Sequence, residues 1–211
     1  DHRDLHSFPT RRSSDLIINF DIINKKYVRL EMDYIYNMDI TILDWIQSVF
    51  KCTFLDWFMP IVTSLGNAGI VWIIICVLLL IYEKTRKYGV MMGCALILCL
   101  LIGNLFLKPV VARVRPFDIN TAIDILIKKP LDFSFPSGHT MSSFAAATVL
   151  IYMDKKIGAI SLILATIIGF SRLYLYVHYP SDVVIGLLIG VLLGIISIKL
   201  CSIIKYQKNN V

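Results

Sequence analysis

The stretch VVIGLLIGVLLGIISIKLCSII at residues 183–204 contains one charged residue, Lys199. An α-helix needs about twenty mainly apolar residues to cross the hydrocarbon core of a bilayer, so this stretch predicts a membrane-spanning helix. Within it, Gly186, Gly190 and Gly194 recur at every fourth position. Small residues at this spacing let two helices approach closely. We expect this glycine stripe to pack against another helix of the same chain, with dimerisation as the alternative.

Most of the chain upstream has the same apolar character. Of the 211 residues, 57% are hydrophobic and 17% are charged, whereas a soluble domain is about half apolar and about a quarter charged. Four more apolar segments occur, at residues 60–82, 88–107, 139–153 and 157–175. Residues 39–57 carry apolar side chains at helical spacing beside Trp45 and Trp57, which is typical of an amphipathic helix at the membrane interface. The predicted fold is all-α: an integral membrane helical bundle of about five transmembrane helices, plus an N-terminal amphipathic interfacial helix.

The basic residues indicate how the bundle is oriented. The net charge is +6, but the basic residues lie between the apolar segments rather than on one amphipathic face, so we expect loop charges and no nucleic-acid partner. Lys and Arg are enriched in cytoplasmic loops. Basic clusters follow the first and third segments and end the chain, at Lys84, Arg86, Lys87, Lys155, Lys156, Lys199, Lys205 and Lys208. This distribution predicts a cytoplasmic C-terminus and puts the charged, proline-containing and non-helical stretch 108–138 outside the cell.

The N-terminus differs from the rest of the chain. Residues 1–16, DHRDLHSFPTRRSSDL, resemble the translation of a sequencing adapter. They are charged, lack an apolar period and lack the apolar core of a signal peptide. We therefore expect residues 1–31 to be a non-native or untranslated extension, and residues 32–211 to form one membrane domain. The five cysteines follow no metal-ligand spacing, so we expect neither zinc nor disulfides.

Polar residues are costly at membrane depth, yet three polar clusters fall on one predicted side of the bundle. They are KPVVARVRP at 108–116, PSGHT at 136–140 and SRLYLYVHYPSD at 171–182. Taken singly, each has an ordinary explanation, such as a snorkelling lysine, an N-cap serine or an interfacial histidine. Their coincidence on one rim indicates a shared site instead.

The residue types suit a phosphate group. Arg115 and Arg172 offer planar, bidentate donors to phosphate oxygens, and Lys108 offers a point charge. Ser137 and Gly138 open a helix, and backbone N–H groups at a helix N-terminus bind anions. The absence of a side chain at Gly138 lets the backbone approach the phosphoryl oxygens. We therefore predict that these five residues bind phosphate.

Two histidines and one carboxylate add the chemistry. Pro180 suits a helix start, which puts Asp182 in the first turn and His178 just before it. Asp182 then accepts a hydrogen bond from one ring nitrogen of His178 and leaves the other as a nucleophile. His139 remains to protonate the leaving oxygen as a general acid. Since the basic side chains supply the positive charge, we expect no metal and no cofactor.

These three clusters together resemble the signature of the type 2 phosphatidic acid phosphatase superfamily. In that signature a lysine is followed by Arg-Pro, then by Pro-Ser-Gly-His, then by Ser-Arg with a histidine and an aspartate downstream. The resemblance covers roughly residues 35–204 and implies a helical membrane bundle with its site at the extracytoplasmic helix ends. It also implies a phosphohistidine at His178, oriented by Asp182, with His139 as proton donor. Vanadium haloperoxidases share the signature, but they are larger and soluble.

The sequence therefore predicts a multi-pass cell-membrane phosphatase whose site faces the extracytoplasmic side. Its substrate is a lipid phosphate or pyrophosphate, with undecaprenyl pyrophosphate, phosphatidate and phosphatidylglycerol phosphate as candidates. The alternative is a non-catalytic lipid-binding subunit that keeps the same scaffold. The sequence leaves the choice of lipid and the oligomeric state open.

Overall fold

The computed structural model describes residues 33–208, with side chains to residue 203. The extension predicted for residues 1–31, with its adapter-like residues 1–16, lies outside the described residues. The chain divides between Met38 and Asp39 into two units. Of the first unit, residues 33–38 are described, and they are helical. The second unit contains every residue of the predicted site.

The described residues, 33–208, form helices and contain no strand. In chain order the α-helices are α1 (33–50), α2 (Thr53–Leu65), α3 (Ile70–Ile81), α4 (Arg86–Leu98), α5 (Lys108–Val111), α6 (Pro116–Ile119), α7 (Gly138–Met153), α8 (Lys155–Tyr174) and α9 (Pro180–Lys208). A 3-10 turn, Asn67–Gly69, joins α2 to α3, and a π-helical segment, Cys99–Leu107, joins α4 to α5. The predicted all-α membrane bundle is confirmed.

The amphipathic helix predicted over residues 39–57 is wrong as one helix, because the chain breaks at residues 51 and 52. Cys52 has extended backbone angles and precedes α2. Tyr174, at the end of α8, holds this break: its carbonyl accepts from Nε2 of Gln47 at 2.6 Å, and its hydroxyl oxygen accepts from the backbone N–H of Cys52 at 3.4 Å. Trp45 and Trp57 therefore lie on different helices.

The span predicted at residues 60–82 is also interrupted. Helix α2 ends at Leu65, and α3 begins at Ile70 after a bend of 44°. The turn contains Ala68 and Gly69 with φ of 51° and 70°, a left-handed backbone that ends an α-helix. The turn has the sequence Gly66-Asn67-Ala68-Gly69, and two glycines beside an asparagine favour a break in a helix. The mean hydropathy of the segment 60–82 concealed this local signal.

The stretch 108–138, predicted to be non-helical, begins with a helix. The π-helical segment carries the chain from α4 into α5, so Lys108 lies in the last helical turns of this long element. Ala112, with φ of 49°, ends α5. After α6, residues 120–137 form turns and irregular structure.

Within residues 33–208, three helices are long and apolar enough to cross a membrane: Arg86–Ile119, Lys155–Tyr174 and Pro180–Ile203. The bent pair α2 and α3 makes a fourth if it is one span. Helix α7, predicted as the third span, has 16 residues, fewer than the roughly twenty that a straight crossing needs. It is the central helix of the bundle, packed against α4, α8 and α9.

The glycine stripe of α9 lies against α7. A Cβ added at Gly186 would lie 2.8 Å from the carbonyl oxygen of Ser137, and one at Gly190 would lie 2.3 Å from that of Met141. A Cβ at Gly194 would meet Ala145 and Thr148 of α7 at under 3 Å. Only glycine permits this approach of the two backbones, so the predicted packing within the chain is confirmed. It joins the second and third polar clusters directly.

Candidate active site

A cavity of about 440 Å³ lies at the helix ends where the three polar clusters meet. Six of the eight predicted site residues line it: Lys108, Arg115, Gly138, His139, Arg172 and His178. They come from α5, the start of α6, the start of α7, the end of α8 and the turn before α9. The remaining two, Ser137 and Asp182, are fully buried next to this wall. The structure therefore brings together side chains that are far apart in the sequence.

Two of the cations are bound to a carboxylate that the sequence reasoning missed. Asp132 accepts from Nζ of Lys108, and its Oδ1 accepts from Arg115 at 2.6 Å. Burial alone would raise the pKa of the Asp132 carboxyl, but its hydrogen bond to Lys108 and the charges of Lys108 and Arg115 lower it to about 2. Arg115 is fixed further by the carbonyls of Asp132 and Val177, at 2.7 and 2.6 Å. A lone acidic residue in an irregular loop gives no sequence signal for this contact.

The third cation, Arg172, has no carboxylate partner among the described residues. Its guanidinium donates to the hydroxyl of Thr63 at 2.6 Å, and its Nε has no hydrogen-bond partner in the described part of the chain. The residue is 2% exposed. A buried charge with an unsatisfied donor is costly unless something binds it. The cavity that Arg172 lines therefore favours an anion.

His178 lies in the turn between α8 and α9, 1% exposed. Its Nε2 is 3.3 Å from a guanidinium nitrogen of Arg115, and its Nδ1 is 3.5 Å from Oγ of Ser134. Burial lowers the pKa of His178 well below its usual range, and the charges of Arg115 and Arg172 lower it further. The imidazole is therefore neutral near pH 7, the form in which a ring nitrogen can attack phosphorus.

The predicted hydrogen bond between His178 and Asp182 is too long in the structure. Nδ1 of His178 lies 3.6 Å from Oδ2 of Asp182, beyond the usual hydrogen-bond range. Ser134 stands beside both groups, because its hydroxyl donates to Oδ2 of Asp182 and lies next to Nδ1 of His178. The backbone N–H of Tyr179 also donates to Oδ2, at 3.0 Å. Ser134 is a second site residue that the motif reasoning missed.

Arg113 holds the other oxygen of Asp182. Arg113 falls inside the first polar cluster but was not among the predicted site residues. It donates to Oδ1 of Asp182 at 2.6 Å and to Oδ2 of Asp39, on α1, at 2.7 Å. Its guanidinium lies 3.8 Å from the ring centroid of Tyr179. Asp39 in turn accepts from the backbone N–H of Ser181 at 2.9 Å. This network ties α1 to the start of α9.

The second cluster forms the start of α7. Ser137 is the N-cap residue, but its hydroxyl pairs with that of Thr140 at 2.9 Å instead of capping the helix. A Cβ added at Gly138 would come within 3.0 Å of Oδ1 of Asn104, so glycine keeps this helix end accessible. His139 is half-buried, and its Nε2 lies 3.0 Å from Oδ1 of Asn67. Gly138 and His139, in the first turn of α7, line the same cavity as His178.

Comparison with known proteins agrees with this geometry. The family model of the PAP2 superfamily matches residues 84–204, more than half of the chain. Undecaprenyl-diphosphatase of Sulfolobus acidocaldarius is 35% identical over 133 residues, 63% of this chain and 64% of that protein. This chain thus spans slightly less than two thirds of that relative.

A bacterial relative and a solved structure extend the match. Undecaprenyl-diphosphatase BcrC of Bacillus subtilis is 28% identical over 151 residues, 72% of this chain and 77% of that protein. The crystal structure of Aquifex aeolicus LpxE has a TM-score of 0.64 at 32% identity, covering 77% of this chain and 95% of that one. The fold and the sequence similarity therefore point to the same group of proteins.

Proposed function

This chain belongs to the PAP2 superfamily, and we propose that it is a membrane phosphatase that hydrolyses a lipid phosphate or diphosphate. One observation carries the proposal: Lys108, Arg115 and Arg172 surround a cavity that two histidines also line, and the buried Arg172 lacks a carboxylate partner among the described residues. A phosphate group supplies the negative charge that this arrangement favours.

The phosphate binds to the cationic wall of the cavity. Arg115 and Arg172 donate to its oxygens, and Lys108 adds a third charge. The first turn of α7, with Ser137 and Gly138, offers backbone N–H groups to the remaining oxygen. These groups stabilise the charge that builds up in the transition state. No divalent cation is needed for that purpose, so the reaction is metal-independent.

The covalent chemistry belongs to the two histidines. Nε2 of His178 attacks phosphorus, the P–N bond forms as the P–O bond to the leaving group breaks, and His139 gives its proton to the leaving oxygen. Water then attacks the phosphohistidine, the P–N bond breaks, and His139 takes back a proton. Asp182 and Ser134 hold the ring of His178 so that Nε2 faces the cavity.

The relatives named undecaprenyl-diphosphatase support a polyprenyl diphosphate as the substrate, with phosphatidate and phosphatidylglycerol phosphate as the other candidates. All three place a charged phosphate at the membrane surface and an apolar chain in the bilayer, as a cavity at the helix ends requires. The distribution of basic loops supports an extracytoplasmic site. In that position the enzyme would act on lipid headgroups outside the cytoplasm.

A phosphate-release assay tests the proposal. The purified full chain in detergent is given undecaprenyl diphosphate, phosphatidate and phosphatidylglycerol phosphate, each with and without EDTA. We expect phosphate release from at least one lipid and no loss of activity in EDTA. Lipid binding without phosphate release over the whole panel would support the non-catalytic alternative. Loss of activity in EDTA that magnesium restores would contradict the metal-free mechanism.

A further inference from the structure

Asn67 lies in the turn that breaks the first predicted span, and its side chain contacts His139. Oδ1 of Asn67 is 3.0 Å from Nε2 of His139. None of the three polar clusters contains Asn67, which precedes His139 by 72 positions. The contact therefore links His139, the proposed general acid, to the turn between α2 and α3 that interrupts the apolar segment 60–82.

The backbone of the turn makes room for the histidine. A Cβ added at Gly66 would lie 2.6 Å from Cδ2 of His139 and 3.0 Å from a methyl carbon of Ile168, so a side chain there would displace the imidazole. Two residues further along the chain, Ala68 and Gly69 have left-handed backbone angles. Such angles are unfavourable for alanine and persist where the surrounding structure requires them. The break in the span thus puts a glycine and an amide side by side against His139.

The hydrogen bond fixes which nitrogen of His139 is protonated. An amide oxygen only accepts, so Nε2 carries a proton with the amide in this orientation. Nδ1 has no hydrogen-bond partner in the described part of the chain and is left to serve the leaving oxygen. The amide oxygen also stabilises the imidazolium form, because a hydrogen bond to a charged donor is stronger than one to a neutral donor.

We propose that Asn67 is a positioning residue for His139, which holds Nε2–H and aims Nδ1 at the leaving oxygen of the substrate. The proposal rests on the proposed function, since it concerns the proton transfer of that reaction. Asn67 lines the same cavity as the phosphate-binding cations and His178, but it makes no hydrogen bond to them among the described residues. Its effect should therefore fall on the leaving-group step.

Leaving-group dependence tests this role. The variants Asn67→Ala and Asn67→Asp are compared with wild type and with Ser64→Ala. Ser64 lines the same cavity as Asn67, but its hydroxyl donates to the carbonyl of Ile61 within its own helix. Substrates are the lipid phosphate that wild type cleaves fastest and nitrophenyl phosphate, whose leaving group departs without a proton. Loss of one hydrogen bond to a charged group predicts a drop in kcat of about tenfold or more for Asn67→Ala with the lipid. With nitrophenyl phosphate we expect most of this loss to disappear.

The pH profile of kcat separates positioning from simple structural damage. The proton donor must be charged, whereas burial and the charges of Arg172, His178, Lys108 and Arg115 lower the pKa of His139 to about 2 in the protein alone. A bound phosphate offsets these positive charges, so the titration of His139 in the substrate complex sets the basic limb of the kcat profile. Asn67→Ala destabilises the charged form, and the basic limb should move to lower pH. Asn67→Asp stabilises it, and the limb should move to higher pH while activity on the lipid is retained. A purely structural role would not produce opposite shifts.

These experiments distinguish an error in the proposed role of Asn67 from an error in the proposed phosphatase function. An inactive wild-type protein contradicts the proposed function. An active wild type, with Asn67→Ala behaving like Ser64→Ala or losing activity equally on both substrates, contradicts the role of Asn67 alone.

Discussion

The carboxylate of Asp132 binds Arg115 at 2.6 Å and is half exposed to the cavity that both residues line. The same carboxylate also binds Lys108. The proposed phosphate site thus contains an anion supplied by the protein, and an incoming phosphate has to share or replace its contacts. This arrangement keeps the two cations oriented and reduces the repulsion between them before a phosphate binds.

Removing this internal anion should strengthen anion binding. Asp132→Asn keeps the shape of the side chain but lowers its competition with phosphate for Lys108 and Arg115. We expect vanadate to inhibit Asp132→Asn at a concentration roughly tenfold lower than wild type, the worth of one charged hydrogen bond. Inhibition constants measured by phosphate release provide the comparison, with Asp118→Asn as a control. Weaker inhibition of Asp132→Asn would mean that Asp132 helps to bind the anion instead.

The low pKa of Asp132 gives this effect its pH dependence. Because the pKa is lowered to about 2, the carboxylate stays ionised at every pH above about 4. The ratio of the two inhibition constants, wild type to Asp132→Asn, should therefore remain constant between pH 5 and 8. A ratio that falls towards one as the pH drops from 8 to 5 would show that Asp132 takes up a proton in this range.

The lowered pKa of His178 predicts the position of the acid limb in the pH profile of kcat/KM. The nucleophile must be neutral, and burial together with Arg115 and Arg172 lowers its pKa below the usual value. Since kcat/KM reports the free enzyme, we expect its acid limb to lie well below the pH at which an ordinary histidine titrates. The measurement is a pH series with nitrophenyl phosphate, with protein stability monitored at each pH. An acid limb near pH 7, in protein that remains folded, would contradict the desolvated, cation-surrounded histidine.

Arg113 should matter for stability as well as activity. It pairs with Asp182 and Asp39, whose side chains are 0% and 5% exposed. Removing one partner from a buried ion pair lowers the free energy of unfolding by about 3–5 kcal/mol. We therefore expect Arg113→Ala to unfold in detergent at a clearly lower temperature than wild type. The matched control is Lys155→Ala, an exposed cation outside every ion pair of the described residues. Equal unfolding temperatures for the two variants would mean that the network contributes little.

Cysteine labelling tests the orientation. In a background without the native cysteines, Asn120→Cys lies in the loop between α6 and α7, and Lys155→Cys lies at the start of α8. A membrane-impermeant maleimide added to intact cells should label Asn120→Cys and leave Lys155→Cys unlabelled. The reverse pattern would put the site in the cytoplasm.

The membrane class, the family and the residues around the cavity could be predicted from the sequence, because each depends on local composition or on motif spacing. Six of the eight predicted residues line one cavity because the motifs fall at helix ends, which a bundle gathers on one face. The apolar runs also located the long helices, and the glycine stripe predicted the α7–α9 contact.

The missed residues depend on tertiary contacts that no local pattern encodes. Asp132 and Ser134 lie in an irregular loop, and only the fold brings them to Arg115 and His178. The break at Asn67 did have a local signal, because Gly66 and Gly69 stand on either side of it, but the high hydropathy of the surrounding segment concealed it. The bounds predicted for α7, 139–153, agree with the observed helix to within one residue. Its central position could not be predicted, because apolar residues at the centre of a bundle have the same composition as lipid-facing residues.

The roles of the two histidines are tested most directly by changing the leaving group. A lipid alkoxide needs a proton to depart, so loss of the general acid should cost about 10²–10⁴-fold with the lipid substrate. A nitrophenolate departs without one. We predict that nitrophenyl phosphate restores much of the activity of His139→Ala and none of that of His178→Ala, which has lost the nucleophile. Restoration in His178→Ala instead of His139→Ala would contradict the account and exchange the two roles.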